Sequence, residues 1–487
     1  MKNRSAAISL AFDARLANLP QTVAIVVLLS VMVGVLLTDS TDEIGAYLLV
    51  CVACGAPIVL WILLGTRGIP VLPMIAAMSF LFYAVPILRH NFDPSEFEPL
   101  EILSAAFTMT LFLGAATLSW WLLLAMGARP SRSAPLEGLS VPQLKQVMFI
   151  GLALGLVFHV GIYAGWMSFL GPAFGLVRAA MLTAAMAACF MLGHLRARGS
   201  LQGQNYVLAV AGLGMMVILS WASLFLVVGM TFGLAAVFGY VITNRRVPWI
   251  FVSVAMSVLI VLHAGKEQMR AKFWLPDQNY GAEISITQVP ALMEEWVEAG
   301  FTKISSNETH SSIVDRASLL PMLMRVQRLA PDYVPFLEGR SYAVLPEMLI
   351  PRFIDPDKTA SQAAMIMLNV HFGIQTLEGT RKTAVGWGLP SEAFANFGRL
   401  GVVGVGFILG LLCGAIERWS ARAPLISLPG LVAIVAMLDL INPEADAAGL
   451  VTTLFQSVTA IAIFYWIFET LNKQKRKRND RSISTYR

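Results

Sequence analysis

The chain has 487 residues, of which 57% are hydrophobic and only 13% are charged. A soluble domain carries roughly twice that charged fraction, so the composition excludes an ordinary soluble protein. The net charge of +5 comes largely from the run "NKQKRKRNDR" near the C-terminus. After a final membrane span, such a run is typical of the cytoplasmic side and of contact with anionic lipid, rather than of nucleic-acid binding.

Apolar runs of about 18 residues or more predict transmembrane helices. The first run is long and has no small-residue cleavage site at its end, so we expect a span there and not a signal peptide. About twelve such runs follow one another along the chain: near 21–38, 44–65, 69–88, 102–127, 147–165, 175–194, 205–220, 223–243, 247–264, 397–416, 424–441 and 449–470.

The short loops between these runs alternate in charge. Basic residues mark the cytoplasmic side, and they predict that both termini are cytoplasmic. The basic loops carry Arg67; Arg129, Arg132 and Lys145; Arg196 and Arg198; Arg245 and Arg246; and Arg418 and Arg422. The opposite loops carry acids: Asp39, Asp42 and Glu43; Asp93, Glu96, Glu98 and Glu101; and Glu444 and Asp446.

This pattern divides the chain into four parts. Residues 1–264 are expected to form an N-terminal bundle of about nine spans, and 396–470 a C-terminal group of about three. Residues 265–395 form an extracytoplasmic loop, and 471–487 a basic cytoplasmic tail. The loop segments "QVPALMEEWVEAGF" and "SSIVDRASLLPMLMRVQRLA" have amphipathic helical spacing, which predicts a helical loop. Ser391 is expected to cap the helix that leads into the tenth span.

The segment "VLPEMLIPRFIDPDK", residues 344–358, is the most informative part of this loop. Pro351 should end the apolar helix before it and fix the backbone beside Arg352. A guanidinium matches phosphate oxygens in a bidentate way, so Arg352 is a candidate ligand for a diphosphate. An ordinary solvated surface explains the presence of about half of the basic residues in the loop. Near the outer end of the sixth span, Arg178 has no acid adjacent in sequence, which favours a ligand role.

Several stretches together resemble bacterial oligosaccharide repeat-unit polymerases of the O-antigen polymerase type. They are "GKEQMR", "GRSY", "IPR" followed by "DK", and "SEAFANFG", and the resemblance covers about residues 263–415. It implies an all-α polytopic membrane protein, similar to class C glycosyltransferases, in the inner membrane of a bacterium. The implied activity joins polyprenyl-diphosphate-linked repeat units into O-antigen or exopolysaccharide at the outer face, without metal or other cofactor. The implied partners are the lipid-linked donor and acceptor, membrane lipids, and a chain-length regulator or export machinery, but no nucleic acid.

Such a reaction needs cations to neutralise the leaving diphosphate and a base to deprotonate the acceptor hydroxyl. Candidate bases are His371, Glu392, Glu347 and His310, although a helix cap or a surface position accounts equally well for each. Histidine has a suitable unperturbed pKa. The candidate diphosphate or substrate ligands are Arg352, Arg340, Arg178, Lys358, Arg316, Arg270 and Tyr342. The His and acidic residues of the outer loops show no familiar metal-ligand spacing.

Two other functions stay open. One is a ligase of similar architecture, which moves the finished glycan to another acceptor. The other is a transporter of lipid-linked sugar, which should show inverted repeats and ionisable residues near the bilayer midplane. His159 and Asp439 are the main candidates within spans, but the sequence shows no internal repeat.

Overall fold

The computed structural model describes residues 41–63, 68–89, 96–126, 140–273, 284–305, 318–352, 354–355, 357–359, 362–382 and 385–485. These residues form helices joined by turns, and no strand occurs among them. The predicted all-α class is therefore confirmed. The first predicted span, near 21–38, lies outside the described residues.

We number the helices in chain order. The first eight are α1 Thr41–Leu63, α2 Val71–Arg89, α3 Pro99–Ala125, α4 Val141–Tyr163, α5 Trp166–Ala197, α6 Gly203–Trp221, α7 Leu226–Asn244 and α8 Trp249–Phe273. In the described part of the predicted loop, six α-helices follow: α9 Val289–Ser305, α10 Leu320–Leu329, α11 Arg340–Ala343, α12 Leu345–Leu349, α13 Ala363–His371 and α14 Leu377–Lys382. The last three are α15 Gly388–Ser420, α16 Leu428–Leu440 and α17 Ala447–Thr485.

Ten helices of the described chain are long and apolar enough to cross a membrane. They are α1 to α8, α15, and the stretch Ala447–Ile467 of α17. This length and composition are those of a multi-pass membrane protein, as the sequence predicts. The finer prediction of twelve spans stays a prediction.

The eleventh predicted span, near 424–441, is shorter than expected. Its helix α16 has 13 residues, which gives a length of about 20 Å, whereas a bilayer core is about 30 Å thick. The helix begins late because the Ser427 hydroxyl caps it by accepting a hydrogen bond of 3.3 Å from the Gly430 amide. The apolar run around α16 therefore continues into turns, which hydropathy does not distinguish from helix.

Small residues let α15 lie directly against α3. A Cβ at Gly406 or Gly410 would overlap the carbonyl oxygens of Phe112 or Ala116. The close approach also lets the Ser119 hydroxyl donate a 2.8 Å hydrogen bond to the Phe407 carbonyl. The glycine-rich run in α15 is thus a helix-packing surface, which is the ordinary use of small residues in membrane helices.

The first amphipathic segment predicted in the loop forms α9, which packs on the end of α8. Gly265 and Gly300 face each other at the contact, and Trp296 Nε1 donates a 2.7 Å hydrogen bond to the Leu262 carbonyl. The second segment forms α10 over Leu320–Leu329. The helix α8 continues to Phe273, beyond the predicted loop boundary at residue 264.

The helix before the tenth predicted span begins earlier than expected. It starts at Gly388, where φ is +69°, and not at Ser391. Ser391 lies inside the first turn of α15, fully buried and near Tyr83, so the predicted cap is wrong. Gly388 rather than Ser391 starts the helix because only a glycine adopts its left-handed conformation without strain.

Gly410 and Gly404 allow a matched test of the α3–α15 contact. Gly410→Ala should destabilise the protein by about 1–3 kcal/mol, since its methyl group would overlap the backbone of α3. Gly404 faces open space, so Gly404→Ala should be neutral or stabilise by up to about 1 kcal/mol through helix propensity. The measurement is thermal unfolding of both purified variants in detergent. Equal melting temperatures would contradict the packing described here.

Candidate functional site

A buried carboxylate connects three distant parts of the chain at the start of α15. Glu392 is fully buried. Its Oε1 accepts a 2.7 Å hydrogen bond from Ser341 Oγ, and its Oε2 accepts a 2.6 Å hydrogen bond from the Ala447 amide. Asn396, one turn later, completes the group. We call Ser341, Glu392, Asn396 and the Ala447 amide the Glu392 network.

Asn396 uses both ends of its amide in this network. Its Nδ2 donates to Ser341 Oγ at 2.8 Å and to the Glu392 carbonyl at 2.9 Å. Its Oδ1 accepts a 3.0 Å hydrogen bond from the Gly339 amide. Because the side chain is fully buried, each of these bonds replaces one that water would otherwise make.

The Ala447 amide belongs to the first turn of α17, and a helix N-terminus favours a negative charge. Both oxygens of the Glu392 carboxyl are therefore already engaged. In this arrangement Glu392 holds α11 and α17 against α15. A direct contact with an acceptor sugar would require the network to open, and the role of Glu392 as a base stays a prediction.

A break in α15 explains how the loop reaches this network. The helix is interrupted at Phe397, with φ −142°, and at Gly398, with φ +61° and ψ −151°. The break leaves two carbonyls accessible to the loop: Ala395 O accepts from the Leu337 amide at 3.0 Å, and Asn396 O from the Glu338 amide at 3.1 Å. The stretches "FLEGRSY" and "SEAFANFG" are thus joined backbone to backbone.

Gly339 and Tyr342 close the same junction. Gly339 has φ +87°, and a Cβ there would lie 2.9 Å from Phe397 Cζ. The Tyr342 ring stacks on the Phe397 ring with centroids 6.4 Å apart. Burial first, and then the nearby Glu392 charge, raise the pKa of the Tyr342 hydroxyl, so it stays protonated. That hydroxyl is buried and bonds to no described residue.

The loop that carries Arg352 is closed at its base by side-chain contacts. Thr359 donates to both carboxylate oxygens of Glu347, through its amide and through its hydroxyl at 2.7 Å. Lys358 Nζ donates to the Met348 carbonyl at 3.0 Å and to the Ile350 carbonyl at 2.6 Å. The helix α12 ends before Pro351, as predicted.

These contacts decide the electrostatics of the loop. The hydroxyl and amide of Thr359 hold the pKa of Glu347 below its usual range, which makes Glu347 a weaker base. Partial burial lowers the pKa of Lys358, and the nearby Arg352 guanidinium lowers it further. Arg352 itself is exposed. The loop therefore brings two cations close together, a favourable arrangement for binding an anion.

Arg340 lies at the start of α11, next to Ser341 of the network. It is exposed, and its Nε donates a 3.2 Å hydrogen bond to the Leu337 carbonyl in its own turn. Within the described part of the chain, no acid forms an ion pair with it. Its two terminal nitrogens are thus available to bind a phosphate or a carboxylate.

His371 is attached to the segment that leads to α11. Its Nε2 lies 2.7 Å from the Pro335 carbonyl. A carbonyl can only accept, so this hydrogen bond assigns the proton of a neutral imidazole to Nε2. The lone pair is then on Nδ1, and His371 is half-buried, so Nδ1 is the atom that could take a proton from a substrate.

Other predicted ligands lie elsewhere or have other partners. Arg270 binds the Leu224 carbonyl through Nη2 at 2.9 Å and lies over the Phe225 ring, so it stabilises the turn between α6 and α7. Arg178 is exposed on α5 and near His159, and among the described residues no hydrogen bond or ion pair joins it to the Glu392 network. Arg316 and His310 lie outside the described residues.

Two loop arginines are engaged in bidentate ion pairs. Arg325 contacts Glu96 at 2.8 Å, and Arg328 contacts Glu101 at 2.6 Å. These pairs join α10 to Glu96, just before α3, and to Glu101 in the first turn of α3. The acidic segment 96–101 and the large loop are thus in direct contact, and the charge pattern assigns both to the same side.

The loop that carries Glu444, which the charge pattern assigns to the same side, also contacts the large loop. The Glu444 carbonyl accepts hydrogen bonds from the amides of Trp387 at 3.2 Å and Gly388 at 3.3 Å. Burial raises the pKa of the Glu444 carboxyl, and the charge of Lys266 on α8 opposes this shift. The "GKEQMR" segment is therefore close to the start of α15.

A narrow apolar cavity, partly open to solvent, adjoins the first turn of α15. Leu389 and Pro390 bound it from α15, and Tyr83 from α2. Most of the remaining lining is apolar, with Ile75, Met109, Phe112, Leu409, Leu440 and Leu450. Its position brings an apolar space next to the polar network.

Sequence reasoning missed Ser341, Asn396 and the Ala447 amide as members of the site. Asn396 gives one usable signal, because it is an amide placed between Phe394 and Phe397, two residues before Gly398. Comparison with known proteins found no family model, curated protein or solved structure that matches this chain. In the portion that the structure covers, no three His, Cys, Asp or Glu residues are grouped so that they could hold a metal ion.

The network predicts a specific effect of Asn396→Ala. The variant leaves the Gly339 amide without its partner, which should cost about 1–3 kcal/mol. We expect lower thermal stability and faster amide hydrogen exchange in residues 337–343. Asn244→Ala is the control, since Asn244 is exposed and bonds to Tyr240 on its own helix. Unchanged exchange in 337–343 would show that Asn396 does not hold this junction.

Proposed function

We propose that this protein polymerises polyprenyl-diphosphate-linked oligosaccharide repeat units, as a multi-span glycosyltransferase similar to class C, at the outer face of a bacterial inner membrane. One observation carries the proposal. The stretches that resemble the polymerases, "GRSY" and "SEAFANFG", lie about fifty residues apart but share one buried network. A shared network is the expected arrangement if both stretches serve one site.

The exposed cations beside this network suit a diphosphate. Arg340 is adjacent to Ser341, and its terminal nitrogens are available. Arg352 and Lys358 lie together on the neighbouring loop. In our proposal Arg340 and Arg352 bind the donor diphosphate and neutralise the charge that develops as it leaves. Lys358 keeps the loop in shape through its two backbone hydrogen bonds.

The proposed base is His371. The acceptor hydroxyl oxygen attacks the anomeric carbon of the donor sugar and forms the new glycosidic bond. The bond from that carbon to the diphosphate breaks, and the diphosphate leaves on its polyprenyl carrier. The hydroxyl proton passes to Nδ1 of His371, whose orientation is fixed by the hydrogen bond to Pro335. Glu347 is less suited, since Thr359 occupies both of its oxygens.

Deletion of the gene tests the function and separates it from the ligase alternative. We expect electrophoresis of the lipid-linked glycans to show single repeat units, because the units are made but not joined. Long chains that accumulate on the polyprenyl carrier would instead identify a ligase. An unchanged glycan pattern would refute both functions.

The role of Arg352 is tested by Arg352→Lys in the deletion strain. Lysine keeps the charge but loses the planar, bidentate group. We expect at least a tenfold loss of polymer, with normal amounts of protein in the membrane. Arg325→Lys is the matched control, since Arg325 is an exposed loop arginine that pairs with Glu96, and it should restore polymer fully. Full activity of Arg352→Lys would refute diphosphate binding by Arg352.

A further inference from the structure

A carboxyl group lies among three helices, α5, α16 and α17. Asp439 is in the last turn of α16, and its Oδ2 is buried and accepts no hydrogen bond from the described residues. Ser457 of α17 lies within hydrogen-bonding reach of this carboxyl. Thr183 of α5 donates to Ser457 Oγ at 3.4 Å. Three helices thus bring a carboxylate and two hydroxyls together.

The group lies near the middle of the bundle. Ser457 is about 15 Å from Ala447, the first residue of α17, at the usual rise along a helix. Thr183 lies about 14 Å beyond Phe174, where the regular part of α5 begins. A hydrocarbon core is about 30 Å thick, so both hydroxyls are close to half its depth. Ser457 and Thr183 are both buried.

The end of α16 adds partial negative charge around Asp439. The last carbonyls of a helix lack intrahelical partners, and its C-terminus carries the negative end of the helix dipole. Asp439 occupies this end of α16. None of the lysine, arginine or histidine side chains that the structure describes forms an ion pair with it. A buried carboxylate without a compensating positive charge is strongly unfavourable, so this carboxyl either holds a proton or pairs with a bound cation.

We infer that Asp439, Ser457 and Thr183 form a binding site for a monovalent cation, with Na⁺ as the ion of matching chemistry. All three groups offer oxygen, which hard cations prefer. The end of a short membrane helix near the midplane is a position where unpaired backbone carbonyls can also coordinate Na⁺. This inference does not depend on glycan transfer, since it concerns α5, α16 and α17 and not the Glu392 network.

The test is thermal unfolding of the purified full-length protein in detergent. Sodium chloride replaces choline chloride at constant ionic strength and pH. With Na⁺ well above its Kd, the wild-type melting temperature should rise by about 2–5 °C. Asp439→Asn should melt at the same temperature in both salts. Asp332→Asn is the matched control: Asp332 is an exposed loop carboxyl, and its variant should keep the wild-type response.

Ser457→Ala provides a second variant that keeps the carboxylate. It should need several-fold more Na⁺ for half of the stabilisation. The site is refuted if Na⁺ does not stabilise the wild type more than choline does, or if Asp439→Asn keeps the wild-type response. It is also refuted if the wild type responds to pH but to none of Na⁺, K⁺ and Li⁺, because Asp439 then simply carries a proton. If Asp439→Asn does not fold, the wild-type salt comparison and Ser457→Ala decide.

Discussion

The hydrogen bond between the Ala447 amide and Glu392 fixes the C-terminal end of the large loop against the membrane helices. Through this bond the start of α17 is fixed against α15, and through Ser341 the same carboxylate fixes α11. The break at Gly398 turns two backbone carbonyls of α15 towards the loop. Without the break, an uninterrupted helix would bond those carbonyls internally, and the loop would have no backbone attachment there.

The rest of the bundle supports this junction through close helix contacts rather than through side-chain volume. In a bilayer the lipid chains are as apolar as leucine, so helices associate through packing and hydrogen bonds. Gly406 and Gly410 let α15 approach α3, and Gly193 and Gly239 do the same for α5 and α7. The close contact between α15 and α3 therefore also holds the Glu392 network, which is built on α15, in a defined position.

Sequence reasoning succeeded where one local property decides the outcome. Hydropathy found the long helices, and Pro351 ended α12 as predicted. Sequence reasoning failed where the contact partner of a residue is distant in sequence. Ser391 is a residue type that commonly caps helices, but the left-handed Gly388 starts the helix. Arg270 is a residue type that commonly binds phosphate, but it donates a hydrogen bond to the Leu224 carbonyl. No local sequence pattern reveals that contact.

The basic residues of the loop show why charge alone does not identify a site. Arg325 and Arg328 are as basic and as exposed as any ligand, yet each is held in a bidentate pair with an acid at the start of α3 or just before it. Arg340 has no such acid partner among the described residues, although it adjoins the buried network. The difference lies in which cations the fold has already neutralised. A cation whose position is fixed but whose charge is not compensated is the kind that an anionic substrate can bind, because the protein has paid the ordering entropy in advance.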